Sequence, residues 1–480
     1  MSQVVEQIDG LFHTRSIAVF GASAKGGRQG NLLLQGFIDI GFDGELIPIH
    51  PNATEVMGLK AYPNLKEYGK PVDLAVLSIH PAKVFDAVRD CVENGKARGI
   101  IIFSAGFREQ GSEGKNLEEE IARYATARGT RIIGPNCMGL YAPSTKLSFF
   151  PGLPTEQGIV AFISQSGSLA VHLNFMAALK GIYFSKMISC GNSVDLDLSD
   201  FLEYLGADPE TKVITCYIEG IKDGNRFIQV AKEVSKQKPI IVWKVGDTPG
   251  GQRAAQSHTG AISGDAEIWE RVFDQAGIIR VNNLNEMIGH IGAFLHPFLP
   301  KGNRVAIISG PGGPAVSSAD ACEKAGLQLA SIAPKIKQEM AEVLPEFGTS
   351  VRNPIDLSLA VAFDPTINSK AVAIVGKDEN VDSLLMYVST LQKSVLKGVL
   401  KAQEQIRKPI ALVTSIDPTC SFQGAESIRT LFNPIRPKRV VKTLQELNEN
   451  GISVHLTEQD AAKALVALWK YQQYLYQNPN

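Results

Sequence analysis

Short apolar runs of strand length alternate along this chain with longer stretches of helical period. The first runs are 16–22 (SIAVFGA), 45–50 (ELIPIH), 73–79 (DLAVLSI), 99–104 (GIIIFS) and 131–134 (RIIG), with a charged helix expected around 115–129. Strands this continuously apolar are buried on both faces, which is the mark of parallel sheets built from βαβ units. The first unit therefore reads as a five-stranded, doubly wound domain over 1–144, followed by a Pro/Gly-rich linker at 150–158 (FPGLPTEQG). A second unit, 151–298, carries 159–164 (IVAFIS), 184–189, 213–218 (VITCYI) and 239–244 (PIIVWK), and closes at another proline-containing join, HPFLPKGN. The third, 302–480, repeats the plan with 304–309 (RVAIIS), a Gly-Pro turn into an Ala-rich helix, strands at 383–388 and 409–414 (PIALVT), and a last helix over 460–474. The segment 416–438 has no legible period. The expected fold is thus α/β with three successive doubly wound parallel-sheet domains.

Composition narrows the function. The 480 residues are 44% hydrophobic and 20% charged, with a formal net charge of -1. That balance fills several globular cores and lacks the basic excess of a nucleic-acid binder or of a protein drawn to anionic membranes. The six cysteines form no CxxC pair, the pattern of reduced, buried thiols. The N-terminal stretch carries acidic residues and no long apolar run, so neither a secretory leader nor a spanning segment is expected, and a cytoplasmic location is. None of the eight histidines lies in an HxxxH or HExxH pair, so no metal site is expected.

In open α/β sheets, ligands bind beyond the carboxyl ends of the strands, where loops turn into helices. Four such loops carry candidate chemistry. The first, 21–30 (GASAKGGRQG), follows the first strand; glycines allow close backbone approach to a phosphate and the next helix start favours an anion. It is not a GxGxxG, and the second strand ends in His50-Pro51-Asn52 where an NAD site would place an acid, so a nucleotide other than NAD is expected. A tight turn without a ligand is the competing reading. The second, Ser164-Gln165-Ser166-Gly167-Ser168, offers hydroxyls and backbone N–H groups at a helix start, with no lysine of a P-loop, and fits a single phosphate; plain helix capping is the alternative. The third is Ser257-His258-Thr259-Gly260 in a small-residue loop expected over 249–264. Its imidazole is near neutral at physiological pH and able to act as a nucleophile, with Glu219 at a strand end as the carboxylate to orient it. The fourth, 310–314 (GPGGP), is an anion-binding loop or a structural turn.

Taken in this order, the motifs resemble the alpha subunits of the ADP-forming (NDP-forming) acyl-CoA synthetases, in the succinyl-CoA synthetase superfamily, over nearly the whole chain. GAS at 21–23, HPN at 50–52, SAGF at 104–107 and GPNCMG at 134–139 resemble the motifs of a CoA-binding Rossmann-like domain. SQSGS, Gly191-Asn192, Ile218-Glu219-Gly220 and SHTG resemble the first of two flavodoxin-like ligase domains, and GPGGPA with Asp320 and 353–356 (NPID) the second.

The resemblance implies an acid–thiol ligase that interconverts acyl-CoA, ADP and phosphate with carboxylic acid, CoA and ATP through an acyl phosphate and a phosphohistidine. It gives His258 as phosphoryl acceptor and Glu219 as its orienter, with Ser164, Ser166, Gly167, Ser168 and Asn192 around the phosphate. CoA falls to Gly21, Ser23, Lys25, Pro51, Asn52, His80, Ser104, Gly106 and Asn136. No ATP-grasp domain is legible, so ATP/ADP and Mg2+ are expected on a separate ATP-grasp beta subunit, in a hetero-oligomer. Two departures stand out: His80 is inserted between Ile79 and Pro81, and the 415–438 segment is longer than the family form. A non-catalytic CoA-binding regulatory protein is the alternative, against which stand Glu219, the serine loop and His258 together.

Overall fold

A computed structural model of the chain describes residues 2–259, 266–389, 391–415, 417 and 437–479. The apolar runs become strands. The first sheet holds β1 (Ser16–Phe20), β2 (Glu45–Ile49), β5 (Leu74–Leu77), β6 (Gly99–Ile102) and β7 (Arg131–Ile133), all parallel; β3 (Glu55–Val56) and β4 (Leu59–Lys60) form a separate hairpin. The charged helix runs Ser112–Thr126. The second sheet holds β9 (Val160–Ser164), β10 (Phe184–Ser189), β11 (Val213–Ile218), β12 (Ile240–Lys244) and β13 (Ile278–Val281), with β8 (Gly139–Tyr141) antiparallel against β10 at its edge. The third sheet holds β14 (Arg304–Ser309), β15 (Gln328–Leu329), β17 (Ser383–Val388), β18 (Ile410–Thr414) and β19 (Ile452–His455), with β16 (Ile355–Asp356) beside β14.

Numbered by their order in the chain, the five main parallel strands of every sheet lie in the order 2-1-3-4-5. This is the flavodoxin-like winding. Its connections leave in opposite directions from the first and third strands, and the crevice at their carboxyl ends is where such sheets bind ligands. The three crevices lie at β1/β5, β9/β11 and β14/β17.

The sheets fall into two compact units, one comprising residues 1–176 and 183–282, the other 177–182 and 283–480. The first two sheets share one unit because they share a core: Ile17, Val19 and Leu33 belong to the same buried cluster as Ile163, Ile188 and Phe201. The N-terminal helix Gln3–Phe12 helps to make that core continuous. Ser2 caps it, and Phe12 stacks on Tyr204 of the helix Leu198–Ala207 with ring centroids 5.3 Å apart. β8, which the apolar pattern placed with the first domain, pairs in the second sheet and so threads the two together.

Seven strands escaped the sequence reading: β3, β4, β8, β13, β15, β16 and β19 are short, and β13 and β19 each sit between helices whose own apolar period masks them. A second difference concerns the supposed loop 249–264. Its backbone is helical from Pro249 to Thr259, with Pro249 at the first helical position and the Thr248 Oγ accepting the Gly251 N–H at 3.1 Å. The small residues of this stretch include Ala254 and Ala255, good helix formers that outweigh the glycines at its start. Residues 260–265 and nearly all of 416–436 lie outside the described residues, so the segment around 415–438 stays a sequence observation.

In the second unit two buried histidines are held neutral. His455 on β19 is buried, with burial and nearby His290 lowering its pKa to about 3. His290 on the helix Leu284–Phe294 is also lowered by burial, against the opposing pull of Glu286, which pairs with Lys463 at 3.5 Å, and of Asp460. The unfolded chain therefore binds more protons than the folded one between about pH 3 and the ordinary value of 6.5. Stability from His455 is fully present above that ordinary value and drains away as pH falls through this window. Urea unfolding at pH 7 and pH 5 should show a loss of about 2 kcal/mol attributable to this residue, and His455→Gln should flatten that part of the profile.

Candidate active site

At the first crevice the strand ends approach so closely that only glycine fits. Gly21 has φ of +93°, and a Cβ there would lie 1.9 Å from the Ser78 carbonyl oxygen. Gly30, in the first turn of the helix Gln29–Asp39, is pressed against Gly21 and Ala22 in the same way, with a Cβ only 2.4 Å from the Ala22 nitrogen. Between them Ser23 is bracketed by Asn31: the Ser23 N–H donates to Asn31 Oδ1 at 3.1 Å and Asn31 Nδ2 donates to the Ser23 carbonyl at 2.8 Å. Lys25 is exposed at the mouth.

After β2, His50 Nδ1 accepts the N–H groups of Asn52 and Ala53 at 3.2 and 2.9 Å, which turns Pro51 and Asn52 outward as an exposed rim. Buried Ser104, after β6, bonds both ways to Ile79: its Oγ accepts the Ile79 N–H at 3.0 Å and donates to the Ile79 carbonyl at 2.5 Å. The Asn136 N–H donates to the Ser104 carbonyl at 3.0 Å, and a Cβ at Gly106 would meet the Pro81 ring at 2.5 Å. The expected CoA residues thus gather at the ends of β1, β2, β5, β6 and β7. The inserted His80 is exposed, and its Nδ1 accepts the Ala82 N–H at 3.3 Å, capping the turn Pro81–Lys83.

The second crevice is closed by one side chain that sequence reasoning quoted but gave no role. The Gln165 Oε1 accepts the N–H groups of Glu219 and Gly220 at 2.5 and 3.1 Å, while its Nε2 donates to the Gly220 carbonyl at 2.8 Å. This amide-to-backbone pairing ties the serine loop after β9 to the strand end after β11. The three serines take different parts. Ser164 is buried and self-satisfied, its Oγ donating to the Ser166 carbonyl at 2.7 Å. Ser166 Oγ accepts the Leu169 N–H at 3.4 Å at the start of the helix Gly167–Ala178, and Ser168 is exposed beside it, the two oxygens 3.4 Å apart. Gly167 is required where it stands, since a Cβ would lie 2.5 Å from Met138 Cγ. Glu219 is buried at this junction. Asn192 is buried too, and its Nδ2 donates to Glu109 and Glu118, each at 3.0 Å.

The backbone of His258 lies near the end of the helix Pro249–Thr259, which packs on the turn Arg108–Gln110; its side chain falls outside the described residues. The base of that helix is anchored by Arg280, which bonds Asp247 and Glu270. Lys244, paired in register with Ile218, is buried with its ammonium on the Val245 carbonyl and 5.1 Å from the Trp269 ring centroid. Burial lowers it to about 8, with nearby Asp247 pulling back. Its sequence signal was faint: a single lysine ending the run PIIVWK.

The third crevice copies the backbone of the second without its chemistry. Ser309 Oγ donates to the Pro311 carbonyl at 2.7 Å, as Ser164 does to Ser166, but the position of Gln165 is held by Gly310 and no serine follows at the helix start Gly312. Asn353 serves the sheet itself, donating to the carbonyls of Val305 and Ala330 at 2.8 and 3.0 Å. Among the described residues no group of three or more potential metal ligands gathers, and no helix is long and apolar enough to cross a membrane. Among the described residues five cysteines are free and buried, with burial pushing Cys190 up to about 12.

Comparison with known proteins defines the class first. Residues 15–143 match the CoA binding domain family, 157–294 the succinyl-CoA ligase like flavodoxin domain, and 305–399 the ligase-CoA domain. The chain is 36% identical over 467 residues to the ADP-forming acetate–CoA ligase II subunit alpha of Pyrococcus furiosus, covering 96% of this chain and 97% of that one. It is 33% identical to the ADP-forming acetate–CoA ligase I of Archaeoglobus fulgidus, covering 90% of this chain but spanning only 63% of that protein. The dinucleotide-forming acetyl-coenzyme A synthetase 1 of Ca. Korarchaeum cryptofilum, solved with phosphate and ADP, superposes with a TM-score of 0.83 at 32% identity, covering 98% of this chain and 99% of that one. The chain belongs to the ADP-forming acetate–CoA ligase family and aligns end to end with its alpha subunits.

The Gln165 tie has a measurable consequence. Gln165→Ala leaves the buried N–H groups of Glu219 and Gly220 without their acceptor and should cost about 1–3 kcal/mol in urea unfolding. CoA binding, measured by calorimetry, should be unchanged.

Proposed function

We propose that the chain is the CoA-handling subunit of an ADP-forming acid–CoA ligase working through phosphorylated His258. The observation that carries this reading is the Gln165 tie, which brings the serine-lined helix start and buried Glu219 together at one crevice. A phosphoryl group there would meet the hydroxyls of Ser166 and Ser168 and the N–H end of a helix, all favourable to an anion.

The first crevice fits CoA. Gly21 and Gly30 let the strand end and the helix start pack directly on their neighbours, and Ser23 and Lys25 lie at its mouth. CoA supplies the thiol whose ester is made or broken; the chain's own residues supply position. In the ATP-forming direction, a phosphate oxygen adds to the thioester carbonyl and CoA leaves, giving an acyl phosphate. The His258 imidazole then attacks phosphorus, the bond to the acyl oxygen breaks, and the carboxylate departs. Glu219 holds the ring nitrogen that does not react, stabilising the charge that develops there. Positioning and electrostatics carry such a transfer.

ATP/ADP and Mg2+ belong, on this reading, to a separate ATP-grasp beta subunit. The family members named as alpha subunits match this chain end to end, while the Archaeoglobus protein extends well beyond it. Family membership also favours catalysis over a regulatory CoA-binding role. The protein acts in the cytoplasm, in a hetero-oligomer, on a carboxylic acid and its CoA ester.

The test is chemical. With a partner beta subunit and radiolabelled ATP, the wild type should acquire an acid-labile, base-stable label that His258→Ala lacks. Equal labelling of both would remove His258 from the mechanism.

A further inference from the structure

Between the first two crevices lies an anion site filled by the protein's own carboxylate. The Gly106 N–H donates to Glu109 Oε1 at 2.5 Å, the Phe107 N–H to the same oxygen at 3.2 Å, and Asn192 Nδ2 to Glu109 Oε2 at 3.0 Å. These donors are rigid. Gly106 has φ of +106° and backs onto Pro81, and a Cβ at Gly114 would come 2.0 Å from the Phe107 carbonyl oxygen, so no side chain can intervene. Burial works against charge on Glu109, yet the Asn192 amide and the N–H groups of Gly106 and Phe107 outweigh it and hold the carboxyl below its ordinary range.

Asn192 is itself only 4% exposed. Its Nδ2 also donates to Glu118, which pairs with Arg108, while its Oδ1 is buried without a hydrogen-bond partner. The amide thus has unused capacity for a further donor.

The site stands on the route between the two chemistries. On one side Ser104 joins the Gly106 turn to Ile79 and Asn136 at the first crevice. On the other, Asn192 follows Cys190, whose N–H donates to the Ser164 carbonyl at 2.9 Å. A thioester carbonyl attacked by phosphate has to lie within reach of both.

We propose that the Gly106 N–H, the Phe107 N–H and Asn192 Nδ2 form the subsite for the reacting oxygen of the acyl substrate, with Glu109 as an internal stand-in that the substrate displaces. In the thioester direction this oxygen is the carbonyl oxygen. As the phosphate oxygen bonds to carbon, the carbonyl π pair moves onto it and is received by the three N–H groups. When the pair returns, the C–S bond breaks and CoA leaves as the thiolate. In the synthetic direction the same donors hold a carboxylate while its other oxygen bonds to phosphorus and the P–N bond of the phosphohistidine breaks. The inference rests on the ligase reading above.

The experiment charges the chain with radiolabelled ATP and its partner beta subunit, then discharges it with CoA and a panel of short carboxylic acids. Once labelled, Asn192→Ala should discharge about 10²-fold more slowly or worse than labelled wild type with the acids the wild type uses best, the size of effect of removing one oxyanion donor. Glu109→Gln removes the competing charge, so the acid concentration giving half-maximal discharge should fall at least about threefold. Discharge of Asn192→Ala at the wild-type rate overturns the proposal. So does an unchanged or raised half-saturating concentration in Glu109→Gln, which decides the matter if Asn192→Ala fails to fold or to take label. A wild type that takes no label refutes the ligase reading, and the subsite with it.

Discussion

A parallel sheet wound in the order 2-1-3-4-5 has one place where neighbouring strands send their connections to opposite faces, and a ligand can enter only there. This chain makes that crevice three times and treats it differently each time. At β1/β5 the strand ends are drawn together until the Gly21 backbone touches Ser78, leaving no room for a side chain. At β9/β11 a glutamine amide spans the gap and sets Glu219 against a helix start lined with hydroxyls. At β14/β17 the strand-to-helix turn is kept without the glutamine and the serines.

The sharing of one core by the first two sheets matters for mechanism. Acyl transfer from sulfur to phosphate needs the CoA end and the phosphate end held to within a bond length of each other, and independent domains joined by a flexible linker would lose that alignment. Here the N-terminal helix, β8 and the Glu109–Asn192 contact all cross from one sheet to the other inside a single packed unit. The helix that bears His258 leaves from the second sheet on a base fixed by Arg280.

Much of this was legible in residue order. Long apolar strands such as IVAFIS and VITCYI announced parallel sheets because they are buried on both faces. The positions of Gly21, Ser104, the serine loop and Glu219 at strand ends were legible because each lies at or within two residues of the end of an apolar run. The helix over 249–259 was not, since glycine and serine at its ends imitate a loop. Nor were β13 and β19, whose few apolar residues are continuous with flanking helical patterns.

By itself the sequence determined the fold class, most of the main strands and the family, because those depend on periodicity and on residues adjacent in the chain. Only the tertiary structure decided which strand ends meet. Gln165 and Gly220 are 55 residues apart, and Asn192 and Glu109 are 83 apart. No local pattern records such pairings: the first exists because β9 and β11 lie side by side in one sheet, the second because two sheets pack on one hydrophobic core.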